Sequence, residues 1–214
     1  MILTPQQLAF FKIFGYLKLP GLFTDDVPQL TKQFHDIFQQ HKDDVVNWIH
    51  ATHDNKLRRF ISEATEKNAY LASLLDDSRV INVVTSLLGD GYQFRGSDAS
   101  IYDCGTNFHQ DGIDTGKRNR TNIKLAFYLD DIDAASGAVR VIPGSHHSGD
   151  KYFGLLFQNW IGPDVLQMAT EDYPATVLSS VPGDLLLWDY RVMHATAYGG
   201  NQRRMVAYEF SQAD

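Results

Sequence analysis

A mainly β protein, with helices packed outside a sandwich or jelly roll, is the fold class this 214-residue sequence predicts. Two observations carry that expectation. After Gly91, short runs rich in β-forming residues follow one another, separated by turns rich in Gly, Pro, Asp and Asn. Before Gly91, longer segments repeat their apolar residues at helical spacing. With 43% hydrophobic residues the chain can bury one real core and is short for two. The expectation is a single domain over 1–214: mostly helical over 1–90, a jelly-roll core over 91–214, and a long insertion near 149–172.

Each element has a local reason. Thr4-Pro5-Gln6-Gln7 offers a helix cap, a proline at the first helical position and a glutamine placed for a capping box. Leu8, Phe11 and Ile13 follow, and Gly15 stops the run. Tyr16–Leu19 alternates like a short strand before Pro20-Gly21 turns the chain. A second helix is expected from Thr24, with Leu30, Phe34, Ile37 and Phe38 on one face. Between Asp77 and Leu88, Val80, Val83, Val84, Leu87 and Leu88 mark another helix, and Gly89 stands where a terminating glycine belongs. Strands are then expected at roughly 92–95, 99–103, 122–129, 138–142, 176–181, 185–188, 194–198 and 204–210. The turns between them include Ser136-Gly137, Pro143-Gly144-Ser145 and Pro182-Gly183-Asp184.

Charge and composition exclude several classes of function. A net charge of -7 repels phosphate backbones, so nucleic acid is not the expected partner. The single cysteine, Cys104, rules out an internal disulfide scaffold and a thiolate zinc site. The N-terminus lacks the basic region and apolar run of a signal peptide, and no stretch approaches the ~20 apolar residues that span a bilayer. A cytoplasmic protein without a membrane partner is the expectation. No coiled-coil heptad or interface stripe specifies an oligomeric state.

His109 and Asp111, in Phe108-His109-Gln110-Asp111-Gly112, are two residues apart. On a strand they would present an imidazole and a carboxylate to one side, and so to one metal ion. Alone, the pair reads more readily as a surface turn with two solvated polar groups. His194, beyond the apolar run Leu185–Trp188, adds a second imidazole. Two histidines and one carboxylate make the facial triad of non-haem Fe(II) oxygenases, which leaves positions open for cosubstrate and oxygen. Arg203 and Arg204 follow at the start of the last strand. A guanidinium there can clamp a carboxylate by two parallel hydrogen bonds. Alternation lets only one of the two face inward, and the sequence leaves open which. Tyr102, before the His-x-Asp pair, reads either as a cosubstrate contact or as a packing tyrosine.

In order along the chain, Phe108–Gly112, Leu125-Ala126-Phe127-Tyr128-Leu129-Asp130-Asp131, Ser136-Gly137-Ala138-Val139-Arg140-Val141-Ile142-Pro143-Gly144-Ser145-His146, Pro182-Gly183-Asp184-Leu185, His194-Ala195 and Arg203-Arg204 resemble the phytanoyl-CoA dioxygenase family of Fe(II)/2-oxoglutarate oxygenases. The likeness runs from about residue 94 to the C-terminus. It implies a double-stranded β-helix with helices outside it, and Fe(II), 2-oxoglutarate and O2 as cofactor and cosubstrates. It further implies His109, Asp111 and His194 as iron ligands, Arg203 on the distal carboxylate of 2-oxoglutarate, and Lys124 as a further contact to it. Two departures stand out. Ala126 occupies a position often held by tryptophan, and Met205 one often held by a small hydroxyl residue. The Pro143-Gly144-Ser145 turn with His146 and His147 is implied to be structural. The early histidines His35, His41, His50 and His53 are expected at the surface.

The expected function is oxidation, most simply hydroxylation, of a small metabolite or natural-product intermediate with release of succinate and CO2. Asp111 favours hydroxylation over halogenation, because halogenating relatives lack that carboxylate. Desaturation, cyclisation and other oxidative rearrangements use the same cofactors and stay open. So do a cupin-like metalloprotein without 2-oxoglutarate and a non-catalytic binding domain. Loops are expected to choose the small-molecule substrate: Lys117, Arg118 and Arg120, the insertion with Phe153, Phe157 and Trp160, and the region of Trp48. Arg118 and Trp160 are the candidate substrate contacts. No coenzyme A site is evident.

Overall fold

A computed structural model describes residues 3–49, 56–111, 120–147, 169–198 and 202–213. Helix α1 (Pro5–Phe14) starts at the predicted capping box, with Thr4 Oγ1 accepting from the Gln7 N–H, and ends at Gly15, whose φ of 82° is left-handed. Strand β1 (Tyr16–Leu19) follows. A 3-10 turn over Thr24–Asp26 then leads into α2 (Val27–Gln40), so the helix proper begins three residues later than expected. Helices α3 (Ala64–Lys67), α4 (Ala69–Ser73) and α5 (Ser78–Leu88) complete the helical layer, and the Asp77 carboxylate caps α5.

Residues 1–90 hold more than helices. Strands β2 (Val46–Ile49) and β3 (Leu57–Ser62) pair antiparallel there and extend the main sheet, and Trp48 lies on β2. The two strands expected at 92–95 and 99–103 are one, β4 (Gln93–Tyr102). Gly96 sits inside the ladder opposite Glu209. The remaining strands are β5 (Thr106–His109), β6 (Asn122–Tyr128), β7 (Val139–Val141), β8 (Thr176–Leu178), β9 (Leu185–Asp189), β10 (His194–Thr196) and β11 (Arg203–Ser211).

Two antiparallel sheets form the double-stranded β-helix. The major sheet runs β1-β9-β6-β11-β4-β3-β2 and the minor one β5-β10-β7-β8. Side chains alternate across each strand, so the major sheet serves two cores. Ile61, Ala99, Ile123, Leu125, Phe127, Leu185, Leu187, Val206, Tyr208 and Phe210 face the helices and pack with Phe23, Leu30, Phe34, Ile37, Val80 and Val84. The alternate residues Ala126, Tyr128, Leu186, Trp188, Met205 and Ala207 face the minor sheet and meet Val139, Val141 and Leu178. Toward β3 and β4 that second face turns polar: Arg58, Asp98, Ser100, Tyr102, Arg203 and Glu209 share its parity. Among the described residues, no helix is long and apolar enough to cross a membrane.

Candidate metal centre

His109 ends β5, and His194 begins β10 directly opposite it in the antiparallel register. Asp111 arrives by another route than strand alternation. Strand β5 stops at His109, and Asp111 lies in the turn beyond, where its N–H donates to the Tyr190 carbonyl at 2.9 Å. The Gln110 side chain donates to the Arg191 carbonyl in the same turn. The result is compact. One ligand atom from each of His109, Asp111 and His194 lies within 4.8 Å of the others. His194 Nε2 is 3.7 Å from Asp111 Oδ2, and His109 Nε2 is 4.0 Å from Asp111 Oδ1.

The backbone sets the imidazole tautomers. His109 Nδ1 stands 2.7 Å from the Asn107 carbonyl and His194 Nδ1 2.9 Å from the Val192 carbonyl. A carbonyl only accepts, so each Nδ1 carries the proton and each Nε2 keeps its lone pair toward Asp111. Burial drives both imidazoles toward the neutral form. The His194 value falls to about 3, first through desolvation and then through His109, and the His109 value also falls, mainly by desolvation. Asp111 behaves oppositely. Burial alone would raise its carboxyl, but Lys124 and the two histidines hold it well below the ordinary carboxylate range. Neutral imidazoles and an ionised carboxylate are the protonation states a divalent cation needs.

Two groups steady Asp111. Trp188 Nε1 donates to Oδ2 at 3.2 Å, and Lys124 Nζ stands 3.1 Å from the same oxygen. Lys124, expected at a cosubstrate, thus sits between Asp111 and Glu209, which is 3.6 Å away. Trp188, Glu209 and Tyr190 were missed by sequence reasoning. Trp188 and Glu209 flank Lys124 in the ladder across β9, β6 and β11, and only strand register reveals that placement.

The choice between the two arginines is settled by burial. Arg204 Nη2 pairs with Asp130 at 2.6 Å. Arg203 is 1% exposed, with Nη2 3.3 Å from the Cys104 carbonyl and the guanidinium 5.0 Å from the Tyr102 ring. Its Nε and Nη1 are buried without a hydrogen-bond partner among the described residues. A Cβ on Gly137 would collide with Nη1, so the missing side chain there makes room for the guanidinium. A buried cation with orphaned donors invites an anion, because leaving such donors unpaired is costly. Tyr102 lies opposite Arg203 in the register, and burial raises its phenol above the ordinary value.

Ala126 and Met205 both face the minor sheet. His146 and His147 stack at 3.8 Å and both reach the Lys12 carbonyl, at 3.1 and 2.8 Å, so they tie the Pro143–Ser145 turn to α1. His35 is exposed and His41 half-buried. Lys117, Arg118, Phe153, Phe157, Trp160, His50 and His53 lie outside the described residues.

The chain matches the family model described as phytanoyl-CoA dioxygenase (PhyH) over residues 11–206. No curated protein sequence matches it significantly. Solved structures do. The non-haem α-ketoglutarate-dependent carbocyclase SnoK from nogalamycin biosynthesis superposes with a TM-score of 0.77 at 18% identity, over 99% of this chain and 85% of its own. EctD from S. alaskensis, with bound Fe, gives 0.74 at 20% identity, over 98% and 77%. HygX from Streptomyces hygroscopicus, with nickel and 2-oxoglutarate bound, gives 0.75 at 17% identity, over 100% and 88%. At such identities the likeness establishes the shared fold.

Proposed function

The chain belongs to the phytanoyl-CoA dioxygenase family of iron- and 2-oxoglutarate-dependent oxygenases, and from that premise we propose that His109, Asp111 and His194 hold its iron while Arg203 grips the distal carboxylate of 2-oxoglutarate. The observation that carries the assignment is the joint occurrence of the compact triad and a buried Arg203 with two unpartnered donors on β11. The residues fit both groups. Two Nε2 lone pairs and one carboxylate form a two-histidine, one-carboxylate donor set, and the guanidinium fork matches a carboxylate. Iron with 2-oxoglutarate supplies the oxidising power that removes hydrogen from an unactivated C–H bond, with succinate and CO2 as co-products.

The chain's own residues then have distinct tasks. The Asn107 and Val192 carbonyls fix the imidazole faces. Trp188 orients the Asp111 carboxylate. Lys124 neutralises Asp111 in the metal-free protein. Once a divalent cation takes over that carboxylate, the Lys124 ammonium is left to pair with Glu209 or with a cosubstrate carboxylate. Tyr102 packs its ring between the Arg58 and Arg203 guanidinium groups, 5.1 and 5.0 Å away, and so helps to position Arg203. The substrate on this reading is a small organic molecule, and its hydroxylation is the simplest outcome. SnoK is a carbocyclase on the same fold, so cyclisation or desaturation is the second outcome to score.

Anaerobic addition of 2-oxoglutarate to the Fe(II) protein is expected to produce a weak visible charge-transfer band, absent in Arg203→Met. An iron-loaded wild type that stays colourless would remove 2-oxoglutarate from the reading. In aerobic turnover, product mass separates a gain of one oxygen from a loss of two hydrogens.

A further inference from the structure

His109 and His194 face inward from the minor sheet, so their chain neighbours face out of its back. Phe108 precedes His109, and Met193 and Ala195 flank His194. Alternation turns those three side chains away from the metal centre. With Ile142, Tyr173 and Ala175 they form a small third core, in which Phe108, Met193 and Ala195 are each at most 2% exposed. Its cover is the short segment 169–175. A 3-10 turn at Thr170–Asp172 leads to Tyr173, whose ring lies 5.1 Å from that of Phe108. The Ala175 N–H donates to the Tyr173 carbonyl at 2.7 Å and bends the chain just before β8.

The two histidines are not equally secured by the sheet itself. His194 begins β10, which has β5 on one side and β7 on the other. Its neighbour Met193 is bonded at both backbone groups: its carbonyl accepts from the Ile142 N–H at 2.9 Å, and its N–H donates to Ser145 Oγ at 2.8 Å. His109 ends β5, a four-residue strand at the edge of the sheet. Its ladder neighbour is β10, and the pairing between them shifts register between His194 and Thr196. The chain is next tied beyond His109, at Gln110 and Asp111. A short ladder with a disrupted register fixes the tilt of a strand end poorly.

The cover is itself pinned, by Arg140. Val139 and Val141 face the inner core, so Arg140 between them faces the back, opposite Ala195 in the ladder. It is 7% exposed. Its hydrogen bonds go to backbone carbonyls: Nη1 donates to Glu171 at 3.1 Å and Nη2 to Ala134 at 3.4 Å. Nε is buried without a partner among the described residues. A guanidinium buried on carbonyls alone is a costly brace. Glu171, at one end, lies in the cover behind Phe108. Ala134, at the other, lies in the turn leading to Gly137, the glycine that abuts the Arg203 guanidinium. One planar fork thus ties the backing of the metal ligands to the turn beside the proposed cosubstrate clamp.

We infer that Arg140 and Tyr173 are positioning residues: from the back of the minor sheet they hold the His109 imidazole where it can bind a metal together with Asp111 and His194. The inference rests on the oxygenase reading above. Tyr173 acts through its ring, which keeps Phe108, and with it the end of β5, from tilting outward. Arg140 acts through the cover that carries Tyr173. Neither side chain faces the metal centre.

The test measures Ni(II) binding to the metal-free protein by calorimetry, well below the melting temperature, and the visible spectrum of the Co(II) form. Tyr173→Ala is expected to weaken Ni(II) binding about tenfold or more, the scale of loss when the support behind a metal ligand is removed, and to shift the Co(II) bands. Tyr173→Phe is expected to restore both affinity and spectrum. Arg140→Met is expected to weaken Ni(II) by a smaller factor. Arg140→Lys should fall with it, because a compact ammonium does not span both carbonyls. Phe127→Ala, in the helix-facing core, is the control: it destabilises the fold and is expected to bind Ni(II) as the wild type does. Where Tyr173→Ala fails to fold, Tyr173→Leu and Arg140→Lys carry the test. The assignment is overturned if the folded Tyr173 and Arg140 variants bind Ni(II) as tightly as the wild type, or if Phe127→Ala loses as much affinity as they do. Wild-type protein that binds no Ni(II) would instead sink the metal-site reading, so the two failures are distinguishable.

Discussion

The two faces of the major sheet are built from the same strands and do opposite work. In β11, Val206, Tyr208 and Phe210 point to the helices, and all are at most 2% exposed. Arg203, Met205, Ala207 and Glu209, one residue out of phase, point to the other side. In β6, Ile123, Leu125 and Phe127 pack outward while Lys124 reaches Asp111. The outer face is largely apolar, though it also carries Arg59 and Arg204. The inner face carries a guanidinium with orphaned donors and a lysine whose ammonium reaches Asp111. Stability is thus concentrated on one parity and chemistry on the other, and function on the inner parity is held at some cost in folding energy.

That division makes variants on the two faces fail differently. His109→Ala is expected to lower turnover by about a thousandfold or more through loss of the metal, with a smaller change in melting temperature than any outer-face truncation. Turnover and iron content, measured together, check it. Phe127→Ala, on the outer face against Phe23 and Tyr208, is expected to cost about 3–5 kcal/mol in urea unfolding. Folded Phe127→Ala protein should keep its affinity for 2-oxoglutarate. A large loss of cosubstrate binding there would break the division.

Much of this arrangement was legible in the sequence, and what was not has physical causes. The outer parity could be read because Leu, Ile, Val and Phe recur every second residue. The His109–Asp111–His194 grouping followed from residue type and order, although a turn, not strand alternation, delivers Asp111. Arg203 and Arg204 could not be told apart until register placed Asp130 beside Arg204. Strand β3 escaped notice because its inner positions hold Arg58, Phe60 and Ser62, which gives no alternation of apolar and polar residues. Glu209 offered a signal that went unused: one acid inside the apolar run Met205–Phe210 has to face something polar.

Arg203→Met sharpens the comparison from the other side. It removes the proposed clamp, so the KM for 2-oxoglutarate is expected to rise about 10- to 100-fold. It also replaces a buried cation that has orphaned donors with an apolar side chain of similar length. The cofactor-free protein should therefore become more stable, by about 1 kcal/mol or more. Loss of stability in that variant would mean that Arg203 braces the sheet.

The smallest expected effect concerns pH. In the unfolded chain His194 takes up its proton near 6.5, whereas burial and His109 hold it neutral in the folded chain down to about 3. His109 shifts in the same direction. Between those values the unfolded state binds more protons, so the stability these imidazoles permit is complete above pH 6.5 and is lost as pH falls toward 3. Each buried histidine costs up to about 1.4 kcal/mol per pH unit in that window. Asp111 adds its own loss only lower, below the ordinary carboxylate value, because its folded carboxyl is depressed. Melting curves of the metal-free protein from pH 8 to pH 4.5 measure this slope. His194→Gln should flatten it, since the variant has one less group to protonate on unfolding. Phe127→Ala should lower the whole curve without changing its slope, because the titratable ring it touches, Tyr208, is pushed by burial far above this pH window. A slope that moved with Phe127 and ignored His194 would place the pH dependence on the scaffold, and the two faces would no longer divide stability from chemistry.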